Sequence, residues 1–124
     1  MIGYVTLGTN DIDKSTAFYD ALLGEVGAKK VMNTDRLRMW SVARGQPMLA
    51  VIKPYDGETA TAGNGTMPAL LMDSQETVRK MHAKAISLGA TDEGAPGPRM
   101  DGKMYFGYVR DPEGHKLAFY TPAG

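Results

Sequence analysis

The sequence predicts an α+β fold of two βαβββ modules, curled into a cupped, barrel-like mixed sheet with one helix outside each module. Three observations carry this. First, one strand design occurs twice: Met48-Leu49-Ala50-Val51-Ile52-Lys53-Pro54 aligns without a gap on Lys116-Leu117-Ala118-Phe119-Tyr120-Thr121-Pro122. Each copy follows a turn, Arg44-Gly45-Gln46-Pro47 in one case and Asp111-Pro112-Glu113-Gly114 in the other. Second, two stripes of apolar residues recur at helical spacing, one in each half. Third, the remaining apolar runs are short, alternate with period two and are separated by glycine and proline, the mark of strands. Fifteen glycines and seven prolines in 124 residues favour many turns over a helical bundle.

The elements follow in order. Residues 2–8 alternate as a first strand. Asn10, Asp11 and Asp13 are N-cap material for a helix to about Leu23, with Phe18, Tyr19, Leu22 and Leu23 as its stripe and Gly24 as its end. Strands are expected over 26–32, 35–43 and 48–53. The polar stretch 55–66 reads as a linker between modules 1–54 and 67–124. The plan then repeats: a short strand at 67–72, and a helix opened by Asp73 with Glu76 three residues on. Its stripe is Val78, Met81, Ala85 and Leu88, and Gly89 closes it. Strands follow at 90–94, 104–110 and 116–121, with 95–103 as a loop. Gly24 and Gly89 are 65 residues apart, whereas Ala50 and Ala118 are 68 apart, which suggests a three-residue insertion in the 95–103 loop. A unit repeated at this scale cannot bury its own sheet face alone. The faces not covered by helices are expected to enclose a shared concave chamber.

Composition narrows the function. Fourteen basic and fourteen acidic residues cancel, leaving no electrostatic footprint for nucleic acid or an anionic membrane. With no cysteine, disulfides, thiolate catalysis and thiolate metal sites are excluded. No apolar run approaches a membrane span and no leader pattern opens the chain, so a cytoplasmic protein is expected.

The opening strand, then Asn10-Asp11-Ile12-Asp13-Lys14-Ser15 with Phe18-Tyr19 and Leu22-Leu23-Gly24, and finally Asp111-Pro112-Glu113-Gly114-His115-Lys116-Leu117, together resemble the vicinal oxygen chelate superfamily. That group holds glyoxalases, bleomycin-resistance proteins, fosfomycin-resistance enzymes and extradiol dioxygenases. The resemblance covers essentially the whole chain. It implies paired βαβββ modules, frequent homodimers, and in the enzymes a divalent metal held from the first and last strand of each module by His or Gln and by Glu. The matching positions here are Tyr4, Ala50, Met67 and Ala118. Alanine has no donor atom, a thioether is too soft for Zn²⁺, Mg²⁺, Mn²⁺ or Fe²⁺, and a neutral phenol is a poor ligand. Moving one residue either way restores no donor set. No metal and no other cofactor is therefore expected.

Other chemistry is sparse. His82 lies beside the second helix stripe and reads as a partly buried, hydrogen-bonded structural histidine. His115 reads as a solvated turn residue. No serine sits in a nucleophile elbow, and the glycine clusters match no phosphate cradle. Strand parity instead gives the chamber Tyr4, Thr6, Ala50, Ile52, Met67, Ala69, Ala118 and Tyr120. Trp40 alternates with Arg38 on one side of the third strand, and Tyr105 with Gly107 on the seventh. Aromatic walls with a few polar groups describe a pocket for an organic molecule, and methionine adds deformable lining. The expected ligand-binding residues are Tyr4, Arg38, Trp40, Met67, Arg99, Tyr105 and Tyr120. Arg99 would meet a carboxylate or phosphate, or else simply lie in an exposed loop.

The reading is a metal-free small-molecule-binding protein and homodimer, with no nucleic-acid or membrane partner and no assigned catalytic residue. The alternatives are a glyoxalase- or dioxygenase-type enzyme with a non-standard or dimer-completed metal site, and a non-catalytic dimeric module whose cup is filled.

Overall fold

The computed structural model describes residues 1–123. The chain divides between Ala62 and Gly63 into two compact units, each a βαβββ module. In the first, β1 (Tyr4–Gly8) leads to α1 (Ile12–Gly24), β2 (Lys29–Asn33), β3 (Leu37–Ser41) and β4 (Met48–Ile52). In the second, β5 (Ala69–Leu71) leads to α2 (Gln75–Ser87), β6 (Thr91–Arg99), β7 (Met104–Arg110) and β8 (Lys116–Pro122). The sheets are mixed, ordered β1-β4-β3-β2 and β5-β8-β7-β6, with β1–β4 and β5–β8 parallel and the other pairs antiparallel. The two recurrent strands are thus the same element, the last strand of each module.

The helices form where their caps and stripes place them. Asp11 accepts the Lys14 amide at 3.1 Å, offsetting one of the orphan donors of α1. For α2 the cap is Ser74, accepting the Thr77 amide at 3.1 Å, and not the predicted Asp73. Asp73 instead accepts the Thr77 hydroxyl at 2.6 Å, and that bond holds its carboxyl below the usual carboxylate range. Phe18, Tyr19, Leu22 and Leu23 of α1 are buried, as are Leu7, Trp40, Leu49 and Val51 of their sheet. Val78, Met81 and Ala85 of α2 are buried, as are Val109, Leu117 and Phe119.

α1 ends at Gly24, as expected. The left-handed residue comes three positions later, at Gly27, φ +81°, and is matched after α2 by Gly89, φ +107°. Both glycine amides donate three residues back, Gly27 to Gly24 and Gly89 to Ile86, each at 3.1 Å. This pair lies 62 residues apart, and so do the residues that follow the same β-bulge in each module. That bulge falls between Lys30 and Met32 in β2 and between Asp92 and Gly94 in β6.

The second hairpin is the longer. Six residues separate the paired Met32 and Met39, whereas thirteen separate the paired Gly94 and Tyr108. The insertion is therefore seven residues, not three. It extends the hairpin, so that much of the predicted 95–103 loop is strand as far as Arg99. Pro96 and Pro98 are tolerated there because β6 is the sheet edge, where a missing N–H breaks no ladder. A second bulge between Gly94 and Gly97 takes up extra residues, and Met100, Asp101 and Gly102 turn the chain with positive φ.

The 55–66 stretch is partly fastened to the first module. Ala60 exchanges two hydrogen bonds with the Asn10 side chain, at 2.7 and 3.1 Å. A Cβ on Gly8 would lie 3.1 Å from the Ala60 Cβ. No helix among the described residues is long and apolar enough to cross a membrane.

Candidate functional site

Each sheet has a face turned away from its own helix, and the strand register names what stands on it. In the first sheet Met39 pairs with Ala50 and Ala50 with Thr6, giving a row Thr6–Ala50–Met39–Met32. The row beside it is Tyr4–Met48, with Ser41 and Lys29 beyond. In the second sheet the corresponding row is Ala69–Ala118–Tyr108–Gly94, and beside it stand Leu71–Tyr120–Phe106–Gly97.

Period two then assigns the remaining candidates. Arg38 and Trp40 flank Met39 and lie on the opposite face, under α1. The Trp40 indole N–H donates to Asp20 Oδ1 at 2.8 Å, its ring lies 5.8 Å from that of Tyr19, and it is 2% exposed. Arg38 donates to Thr16 at 3.1 Å and pairs with Asp13 at 3.4 Å, both on α1. Tyr105 likewise lies on the helix face, where its hydroxyl accepts from Arg79 Nη1 at 3.2 Å. A Cβ on its alternate, Gly107, would come within 3.4 Å of the His82 ring. Three of the seven expected ligand-binding residues thus serve helix-to-sheet packing.

Tyr4, Arg99 and Tyr120 stand on the faces away from the helices, Tyr4 in the first module and 55% exposed. Met67, half-buried, precedes β5 and belongs to no strand. In the second module Tyr120 joins two aromatic residues that the sequence reading did not select. Phe106 stacks on Tyr120 at 5.1 Å and 14°, and on Tyr108 at 5.4 Å and 9°. Two cations flank this row: Arg99 is 5.6 Å and Lys116 5.0 Å from the Tyr108 ring centroid. Arg99 is folded back along its own strand by bonds to the Ala95 and Pro98 carbonyls at 2.9 and 3.0 Å. The space for this comes from Gly94 and Gly97, whose Cβ atoms would lie 3.6 and 3.1 Å from the guanidinium. Among the described residues neither cation has a carboxylate partner, whereas neighbouring Arg110 is paired with Glu93 at 2.9 Å. The alternation of Phe106 and Tyr108 was the available signal.

The histidines divide. His82 is 3.0 Å from Asp92 Oδ1 and tethers α2 to β6, as expected of a structural histidine. The Asp92 carboxyl is held below the usual carboxylate range, first by the Gly94 amide and then by His82. His115 is not solvated: it is 7% exposed. The preceding turn folds over Asp111, whose Oδ1 accepts the Glu113 and His115 amides at 3.0 and 2.9 Å.

The four positions of the family's metal do not fit one. Ala50 and Ala118 present only methyl groups, both fully buried, on the rows just described. Their cross-strand partners are Thr6 and Ala69 in place of Tyr4 and Met67, and these add a single neutral hydroxyl. Among the described residues no group of three or more His, Cys, Asp or Glu side chains could hold a metal ion.

Comparison with known proteins agrees with this architecture. The sequence model of the Glyoxalase/Bleomycin resistance protein/Dioxygenase superfamily matches residues 1–119. A solved glyoxalase/bleomycin resistance protein from Albidiferax ferrireducens T118 is 34% identical, covering 98% of each chain with a TM-score of 0.88. A glyoxalase/bleomycin resistance protein/dioxygenase family enzyme from Burkholderia phytofirmans PsJN is similar in fold, at 22% identity, 97% coverage of each chain and a TM-score of 0.78. So is a lactoylglutathione lyase from Agrobacterium tumefaciens, at 20% identity, 98% and 92% coverage and a TM-score of 0.72. There is no match among curated proteins. The chain belongs to the glyoxalase/bleomycin resistance protein/dioxygenase superfamily.

Proposed function

We propose that this member of the superfamily is a binding protein for a small organic molecule and uses no metal at the family's ligand positions. The observation that carries the reading is the row Tyr108–Phe106–Tyr120 on the helix-free face of the second sheet, beside the donorless Ala69 and Ala118. Stacked rings offer a flat apolar platform, and the exposed Ala69 nearby adds no bulky side chain to it. Lys116 and Arg99, which have no carboxylate partner among the described residues, favour a planar ligand that carries negative charge. Met67 is retained as a further ligand contact and Tyr4 as a contact on the first module's own face, while Trp40, Arg38 and Tyr105 act through the packing that holds the sheets. A cytoplasmic homodimer completes the reading. Sedimentation tests that part alone, and a monomer removes it.

The experiment is a thermal-shift and calorimetric screen of benzoates, naphthoates and indole carboxylates, repeated with Tyr108→Leu and Lys116→Gln. We expect a saturable hit that Tyr108→Leu weakens at least tenfold and Lys116→Gln weakens less, with unfolding midpoints little changed. A screen without a hit would overturn the reading. So would stoichiometric Zn, Ni, Mn or Fe in untagged protein together with turnover of a hemithioacetal.

A further inference from the structure

The first module carries a separate hollow of about 580 Å³, within the size range of small-molecule sites, at the end of its sheet. Its walls come from the start of β1, the bulge of β2, and the β3–β4 turn. That turn is held by the Gln46 amide on the Ala43 carbonyl, the Ser41 hydroxyl on the same carbonyl, and Gly45 at φ +83°. Ile2, Val31 and Val42 line it although each is more than half exposed. Exposed aliphatic groups gathered on one concavity mark a binding surface more than scattered ones do. Among the described residues no aromatic ring and no carboxylate lines it, but Lys29 and Arg44 do, and neither has an ion-pair partner there.

The repeat shows what is unusual here. Both modules bulge at the same place, and the bulged residue is Val31 in the first and Glu93 in the second. In the second module Glu93 pairs with Arg110, and Arg110 occupies the position of Ser41 in the first. An ion pair thus occupies in the second module the corner that the first module leaves open, apolar and cationic.

We infer that this hollow binds an amphiphilic organic anion, an aliphatic body with a carboxylate-like head. The body lies against Ile2, Val31, Val42 and Met48, and the head is paired by Lys29 or Arg44. Aliphatic walls with an adaptable methionine suit a flexible chain rather than a flat ring, which separates this site from the aromatic row. The occupant is a free small molecule, because the charged groups line a hollow of limited volume and not a broad surface. The inference does not depend on the proposed function of the second sheet.

The test is calorimetry of the full chain with decanoate and with decyltrimethylammonium, both below micelle formation. We expect one decanoate per chain, no binding of the cationic amphiphile, and at least a tenfold loss of decanoate affinity in the Lys29→Gln/Arg44→Gln variant. These surface changes should leave the unfolding midpoint in place, and Phe106→Leu should leave decanoate binding unaltered. Equal binding of both amphiphiles, unchanged affinity in the double variant, or no binding would overturn the inference. It would be overturned too by Val42→Asp converting a dimer that ignores decanoate into a monomer, since a second copy would then be the occupant. Binding to anionic vesicles but not to decanoate would reassign the corner to a membrane surface and overturn it likewise.

Discussion

The two modules share caps, helix-closing glycines, a bulge and a last strand, yet they invest their large side chains on opposite faces. In the first, Trp40, Tyr19 and Phe18 cluster between sheet and helix, and the other face carries Met32, Met39 and Met48. In the second, the row under α2 at the place of Trp40 holds Val109, while Tyr108, Phe106 and Tyr120 occupy the helix-free face. One backbone plan therefore supports two surfaces, one aliphatic and deformable, the other aromatic and flat. A duplicated unit needs only its caps, its turns and the apolar parity under its helix, so the outward rows are free to diverge.

Several substitutions would break or sharpen this contrast. The largest effect is expected of Trp40→Ala, which empties a buried site beside Tyr19 and removes one hydrogen bond from Asp20, leaving its ion pair with Lys30. A loss of about 3–5 kcal/mol is expected in urea unfolding, with ligand affinity in folded protein nearly unchanged. A fall in affinity larger than the fall in stability would return Trp40 to the binding surface. Next come the closing glycines. Gly27→Ala and Gly89→Ala each force a side chain into left-handed geometry and should cost roughly 1–2 kcal/mol. Gly24→Ala, in a helix with open space around its Cβ, should gain about 0.5–1 kcal/mol. Equal losses at positions 24 and 27 would remove the equivalence between the two helix ends.

The smallest effect concerns Asp92, whose tether to His82 on α2 has its counterpart, with the carboxylate on the helix instead, in Lys30 with Asp20 on α1. Its carboxyl is held below the usual range, so the folded state binds fewer protons there than the unfolded chain. That contribution is present at neutral pH and is lost as pH falls through the lowered value. Asp92→Asn should unfold slightly earlier than wild type at pH 7, and the two should converge in acid, once the pH is below the lowered value. A difference that persisted undiminished in acid would assign the effect to packing.

Much of the fold was legible because its signals are local. Phe18 with Leu22 and Val78 with Met81 mark helices through spacing alone. The Asp111–Gly114 turn and the alternation after it mark β8. The side taken by Trp40 was not legible. Alternation places Trp40 with Arg38, but only the pairing of Met39 with Ala50 says which side the helix covers. The length of β6 was hidden for a similar reason, since Pro96 and Pro98 oppose a strand unless it lies at an edge. His115 looked solvated because a turn residue's burial depends on what folds back over it.

By itself, the sequence determined the element types, their order, the repeat and the missing metal donors at Ala50 and Ala118, all of which depend on near neighbours or on side-chain chemistry. Only the tertiary structure decided which face each parity set occupies. It brought Phe106 into a stacked row with Tyr108 and Tyr120, and it left Val31 exposed where Glu93 is paired. Those outcomes follow from cross-strand register, an interaction between residues distant in the chain, and a one-residue bulge is enough to reverse them.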